Sequence, residues 1–322
     1  MPDRDRYGIR KDGAPVVPDV TFTSYYGRPV VKESPWQADI PAYLFLGGVA
    51  GASSLLAAGA DLSDRPTLRR SSRVGALAAI SLSFAALVHD LGKPTRFVNM
   101  LRVVKPTSPM SVGTWLLSLY GPAAGVAAMA ELPLPLTGVL RPFARPAGVG
   151  AAITGSAVAT YTGVLLADTA TPAWYSARHE LPFVFAGSAA SAAGGLGMLG
   201  SDFADAGPAR RLAFAGLISE VVAEQFMESA MGSTAETLHS GRAGRIHMAG
   251  RVATGVGGVG ALLAELFGRR DPGRGRVFSA ISGAALLAGS ACTRFAIFEA
   301  GQASARNPKY TVVPQRERMT PA

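Results

Sequence analysis

The 322-residue chain is 48% hydrophobic and 16% charged, against about 25% charged in soluble domains, which excludes an ordinary soluble globular protein. Its single cysteine, Cys292, excludes a disulfide framework and a cysteine-ligated iron–sulfur cluster within the chain. The net charge of +9 would suit nucleic acid, but the Lys and Arg residues stand in short loops between apolar runs. That is a membrane distribution, and it excludes a nucleic-acid partner.

In chain order, residues 1–35 form a charged arm without the apolar core of a signal peptide, so no cleavable leader is expected. Its Tyr25-Tyr26 pair is aromatic enough to dock on a surface; a disordered tail is the other reading. Windows of about 20 apolar residues place spans at 40–60, 74–89, 112–131, 147–168, 181–200, 212–231, 248–267 and 277–301. The expected fold class is all-α, a polytopic membrane protein with about eight transmembrane helices in the bilayer. Residues 96–104 should lie flat in the interface, 133–145 should be a Pro-rich connection, and the polar tail of 302–322 should be loose. The transmembrane domain is thus expected over 36–301, and an even number of spans puts both termini on one face.

The second span ends on His89-Asp90, passes through Gly92-Lys93-Pro94 to Arg96, and the third opens at Trp115. A membrane boundary needs anchors such as Trp and Arg; it does not need an adjacent imidazole and carboxylate. Interfacial decoration is the plainer reading of that pair. Alternation of the spans gathers Tyr43, His89, Asp90, Trp115, Tyr161, Asp168, His179, Glu224, Glu228, His247 and Arg294 toward the half of the bilayer nearer the termini, with Glu131 and Glu265 as exceptions. The opposite loops are short and hold Arg65, Arg69, Arg70, Arg73, Arg141, Arg145, Arg210, Arg211 and further arginines around residue 270. Short basic loops face the cytoplasm, so the termini are expected outside a cytoplasmic membrane.

Glu220, Glu224 and Glu228 recur every four residues, which aligns them on one helical face with steps of about 6 Å. Three carboxylates in apolar surroundings cannot all stay ionised cheaply, so the ladder suits proton exchange. Arg251 and Arg294 could instead neutralise it as structural ion pairs. His89, His179 and His247 fall at span ends and His239 in a loop, with no facing pair at depth and no metal-ligand spacing; neither haem nor a metal site is expected, and His247 should be interfacial. The glycines of 250–260 and of 194–197 read as helix contacts.

In several stretches the chain resembles the NrfD/PsrC family, the integral membrane subunits of polysulfide-reductase-like molybdoenzyme complexes. The resemblance rests on WQADIPAYLFLGGVAG from Trp36, HDLGKP from His89, SPMSVGTW from Ser108, YTGVLL from Tyr161, and Arg294 with Ala300-Gly301. It implies eight or more helices in two four-helix bundles, no resident redox cofactor, and a site for an exchangeable menaquinone or ubiquinone near one face. It also implies a ferredoxin-like iron–sulfur partner and a molybdopterin catalytic subunit beyond it. Tyr161 matches the family's quinone-contacting fourth-helix Tyr, Tyr43 stands where some members have a His, and His89-Asp90 match the polar end of helix two. With a phenol replacing that imidazole, proton exchange would fall to His89 and Asp90 or to Glu224 and Glu228, with Tyr43, His89, Tyr161 and Trp115 near the ring. A proton-coupled secondary transporter, or an anchor that never touches quinone, are the competing readings.

Overall fold

The computed structural model describes residues 28–319, apart from Pro94, Leu136, Arg269 and the side chains of 317–319. The expected Tyr25-Tyr26 docking element therefore lies outside the described residues. In order, the helices are α1 (Asp39–Leu62), α2 (Pro66–Asp90), α3 (Arg96–Met100), α4 (Pro109–Met129), α5 (Thr137–Ala167), α6 (Pro172–Ser176), α7 (Leu181–Gly200), α8 (Gly207–Met231), α9 (Glu236–His239), α10 (Gly241–Gly268), α11 (Pro272–Arg306) and α12 (Lys309–Met319). No strand occurs among the described residues. Local sequence explains many of the ends. Pro66, Pro109, Pro172 and Pro272 open their helices, where the missing N–H would be unpaired anyway. The Asp271 side chain caps α11 by accepting from the backbone N–H groups of Gly273 and Arg274 at 3.0 and 3.2 Å.

The chain is a polytopic all-α membrane protein. Among the described residues seven helices are long and apolar enough to cross a membrane: α1, α2, α4, α5, α7, α10 and α11. The sixth expected span corresponds to α8, which has the length but not the apolarity, because Arg210, Arg211 and the three glutamates interrupt it. Helices α1, α2, α4 and α5 pack into one bundle, and the hairpins α7–α8 and α10–α11 into a second, with α1 and α5 against α7 as the seam. Three boundaries move. The Pro-rich stretch of 133–145 is largely helix: α5 starts at Thr137 and carries Pro142 and Pro146 inside it, tolerated where neighbours re-satisfy the freed carbonyls. At 31 residues, α5 is about 46 Å long, enough to carry Arg141 and Arg145 beyond the hydrocarbon. The expected flat segment of 96–104 contains only the five-residue α3. The tail expected to be loose from Gln302 instead completes α11 to Arg306 and adds α12.

Close helix approach decides the seam of the first bundle. A Cβ on Gly51 of α1 would overlap the backbone of Gly155 on α5, and one on Gly155 would sit 3.0 Å from the Gly51 Cα. In lipid such contacts replace the hydrophobic drive that water would supply. Gly155→Leu is expected to destabilise the chain by about 1–3 kcal/mol or more, read as a lowered melting temperature in detergent; an unchanged one would show that the crossing can part without cost.

The start of α1 and the end of α11 meet at one end of the molecule. Gln302 Nε2 donates to the carbonyls of Ser34 and Trp36, both at 3.1 Å, and Arg306 Nε donates to Glu33 at 2.8 Å. Trp36 stacks on Trp174 with centroids 6.0 Å apart, and Trp174 Nε1 donates to the Ile297 carbonyl at 2.8 Å, pinning α6 and the N-terminal segment onto α11. Arg306 holds the Glu33 carboxyl below its ordinary value of 4.5. This clamp therefore contributes fully above that value and is lost as pH falls through the lowered one; amide exchange at residues 34–37 should accelerate there.

Candidate functional site

A groove of about 560 Å³ opens at the end of the first bundle that the termini share. Its walls come from the segment before α4 (Pro106, Thr107), the first turn of α4 (Pro109, Val112), the end of α5 (Tyr161, Val164, Ala167, Asp168), and α6 with the following turn (Tyr175, Arg178, His179). Tyr161 is only 8% exposed. Its ring lies flat on α4 because Gly113 has no side chain; a Cβ there would overlap the ring. The Tyr161 hydroxyl makes no hydrogen bond among the described residues, although the residue lines the groove. At the mouth, Arg178 lies over the Tyr175 ring at 4.6 Å and donates to its carbonyl at 3.1 Å, while Asp168 and His179 are exposed. The groove thus offers an apolar slot (Val112, Val164, Ala167), one phenolic donor inside, and a carboxylate, an imidazole and a guanidinium at its rim.

The other residues expected around a ring lie elsewhere. Tyr43 is 2% exposed in the core that also holds Tyr161, and its backbone carbonyl accepts from Ser83 Oγ at 3.0 Å; it does not line the groove. His89 is exposed and sits 3.0 Å from Asp39 through Nδ1, with Asp90 half-buried beside it. Trp115, 36% exposed, donates from Nε1 to the Val103 carbonyl at 3.3 Å. Around Tyr161 stand Asp168, Tyr175, Arg178 and His179 instead. Of these, Asp168 and His179 were legible as polar residues near span ends, whereas nothing in the spacing singled out Tyr175 or Arg178.

The glutamate ladder belongs to the second bundle. Glu220 and Glu224 are buried, Glu228 is half-buried, and all three line a cavity of about 410 Å³ with Arg251, Thr254 and Thr293. Thr293 Oγ1 donates to Glu220 Oε1 at 2.8 Å. His247 Nε2 lies 3.4 Å from Glu224 Oε1, and His239 Nε2 lies 3.4 Å from Glu228 Oε2. The two imidazoles are 5.5 Å apart, centroid to centroid. Arg251 shares this cavity and Arg294 acts on Glu220 through its charge, but the pairs within 4 Å among the described residues are to histidine. Arg294 is fully buried, donates from Nη2 to the Phe185 carbonyl at 2.7 Å and stacks over the Phe185 ring. His247 is 4% exposed rather than interfacial, because α10 begins at Gly241, seven residues before the expected span, and so carries His247 inside the bundle. Gly241, at φ +58, makes that early start possible by turning the chain sharply after α9.

Polar groups are not confined to the end shared by the termini. Glu131 accepts from Arg69 and Arg73, both at 2.8 Å, and Glu265 from Arg210 at 2.7 Å. Both exceptions to the expected asymmetry are therefore ion-paired at the far end. Among the described residues no group of three or more His, Cys, Asp or Glu side chains could hold a metal ion.

Comparison with known families gives one finding. The family model described as polysulphide reductase, NrfD, matches residues 30–305, which includes every transmembrane helix, the groove and the ladder. None of the curated proteins matches the chain.

Proposed function

We propose that this chain, which belongs to the NrfD family of membrane subunits of quinone-interacting oxidoreductase complexes, exchanges two electrons and two protons with a menaquinone or ubiquinone held in the groove beside Tyr161. The observation that carries this is the Tyr161 hydroxyl, packed against Gly113 on the groove wall without a hydrogen-bond partner among the described residues. A volume of about 560 Å³ lies within the range of small-molecule sites, about 300–1,000 Å³. Tyr161 would hydrogen-bond one ring oxygen. Quinol oxidation releases two protons; Asp168 and His179 at the groove would receive one, and the other would leave by the Glu224–Glu228 ladder. The two electrons would leave singly for an iron–sulfur partner docked over this end and continue to a molybdopterin subunit. His89 with Asp90, and Glu224 with Glu228, would exchange protons along two further polar lines that open toward the same end. The Arg-rich short loops at the opposite end favour a cytoplasmic membrane with the termini outside.

Photo-crosslinking of the assembled complex with an azido-quinone tests this placement. Label is expected on peptides of residues 106–112 and 161–179; label confined to α1 and α2 around Tyr43 and His89 would move the ring to the site expected from resemblance alone. A transport reading has one observation in its favour, the buried glutamate–histidine ladder, and predicts solute flux by the chain without partners.

A further inference from the structure

The turn between α4 and α5 closes over the end of the first bundle remote from the termini and leaves a cavity of about 740 Å³. Its polar wall holds two carboxylates, Asp61 and Glu131, and five guanidiniums, those of Arg69, Arg70, Arg73, Arg141 and Arg145. The carboxylates are already engaged. Glu131 takes Arg69 and Arg73 at 2.8 Å each, and Asp61 takes Arg69 at 3.2 Å, Arg73 at 3.5 Å and Arg145 at 3.7 Å. Arg70 and Arg141 have no hydrogen bond or ion pair among the described residues. Five cations against two anions leave the cavity with three positive charges in excess.

A second observation points to a missing acceptor. Arg73 is 6% exposed and lies against α5 where Gly148 leaves it room, yet its Nε has no hydrogen-bond partner among the described residues. A buried donor left unsatisfied costs about 1–3 kcal/mol, so the site is short of acceptor oxygens as well as of negative charge. The remainder of the wall is apolar, including Leu132, Pro133 and Leu134. An occupant must therefore present anionic oxygens beside hydrocarbon. A phosphodiester at the end of acyl chains does this, and basic pockets between transmembrane helices are recognised sites for anionic headgroups.

We propose that this cavity binds the phosphodiester headgroup of an anionic membrane lipid, with Arg70 and Arg141 contacting the phosphate oxygens and the acyl chains leaving past Leu132, Pro133 and Leu134. The proposal is independent of the quinone groove, which lies at the other end of the molecule. An acidic segment of a partner subunit is the competing occupant; the apolar wall of Leu132, Pro133 and Leu134 favours lipid.

The test uses the full chain, purified in neutral detergent and titrated with phosphatidylglycerol or phosphatidylcholine, read by native mass spectrometry and by melting temperature. Selective retention of one phosphatidylglycerol, with a raised melting temperature, is expected. Arg70→Gln with Arg141→Gln should weaken that binding by about tenfold or more, for two charge-assisted hydrogen bonds lost. The lipid-free melting temperature should stay unchanged, because the Asp61 and Glu131 pairs remain. Equal retention of phosphatidylcholine would overturn the proposal. So would inorganic phosphate matching the effect of the lipid, which would make this a free-anion site. Loss of a protein subunit from the purified complex in the double variant, with lipid retention intact, would assign the arginines to a protein contact and overturn it as well.

Discussion

Tyr161→Phe is expected to lower kcat/KM for quinol by about tenfold to a hundredfold in the assembled complex while leaving the melting temperature nearly unchanged. The ring packs on α4 at Gly113 and belongs to the main hydrophobic core, and Phe preserves all of that. The hydroxyl makes no hydrogen bond among the described residues, so its loss strands no partner there. What is lost is one hydrogen bond to a ring oxygen that becomes charged during electron transfer, worth about 1.5–3 kcal/mol, with tenfold in rate for each 1.36 kcal/mol. Steady-state kinetics with a soluble quinol analogue measure it. Turnover within twofold of the unaltered complex would sink the placement of the ring beside Tyr161, whatever the rest of the complex does.

The second large effect is expected at the ladder. Glu224→Ala should slow proton release during quinol oxidation by about a hundredfold, the lower end of what a lost acid–base group costs, and Glu224→Asp should restore most of it. The carboxyl is buried 3.4 Å from His247, while Glu228 lies 3.4 Å from the half-exposed His239. Removing Glu224 opens a gap of two ladder steps, about 12 Å between Glu220 and Glu228, too long for direct transfer. A pH-indicating dye in reconstituted vesicles follows the protons, and electron transfer is followed separately by quinol absorbance. If Glu224→Ala leaves proton release untouched and only lowers the melting temperature, the Glu224–His247 pair is structural. His247→Ala supplies the cross-check: a structural pair broken from either side loses comparable stability, but only a relay also loses its proton flux.

The pattern of these two sites shows what composition and periodicity could carry. Long apolar runs located all eight long helices, and that of α7, bounded by Glu180 and the turn at Ser201, matched to the residue. Helices that begin or end in polar sequence were cut short, because a hydropathy window cannot see turns that project beyond the hydrocarbon. This is why α5 was expected ten residues late and α10 seven. The consequence reached the chemistry: the early start of α10 turns His247 from an interfacial residue into the buried partner of Glu224. The spacing of Glu220, Glu224 and Glu228 on one face was legible because 3.6 residues per turn is a local property. Their partners were not, because His239 and His247 arrive from another helix.

The amino-acid sequence by itself determined the solvent this protein lives in, the number and order of its long helices, and the family to which it belongs, since each depends on residue chemistry summed along a contiguous stretch. Tertiary packing alone decided which polar groups share a cavity. Tyr43, His89 and Trp115 lie at the same end as Tyr161, yet the small side chains at Gly51, Gly113 and Gly155 set how closely α1, α4 and α5 cross. That crossing opens the groove toward Asp168, Arg178 and His179. Distances between helices, fixed by where a Cβ is missing, have no period in the chain from which they could be read.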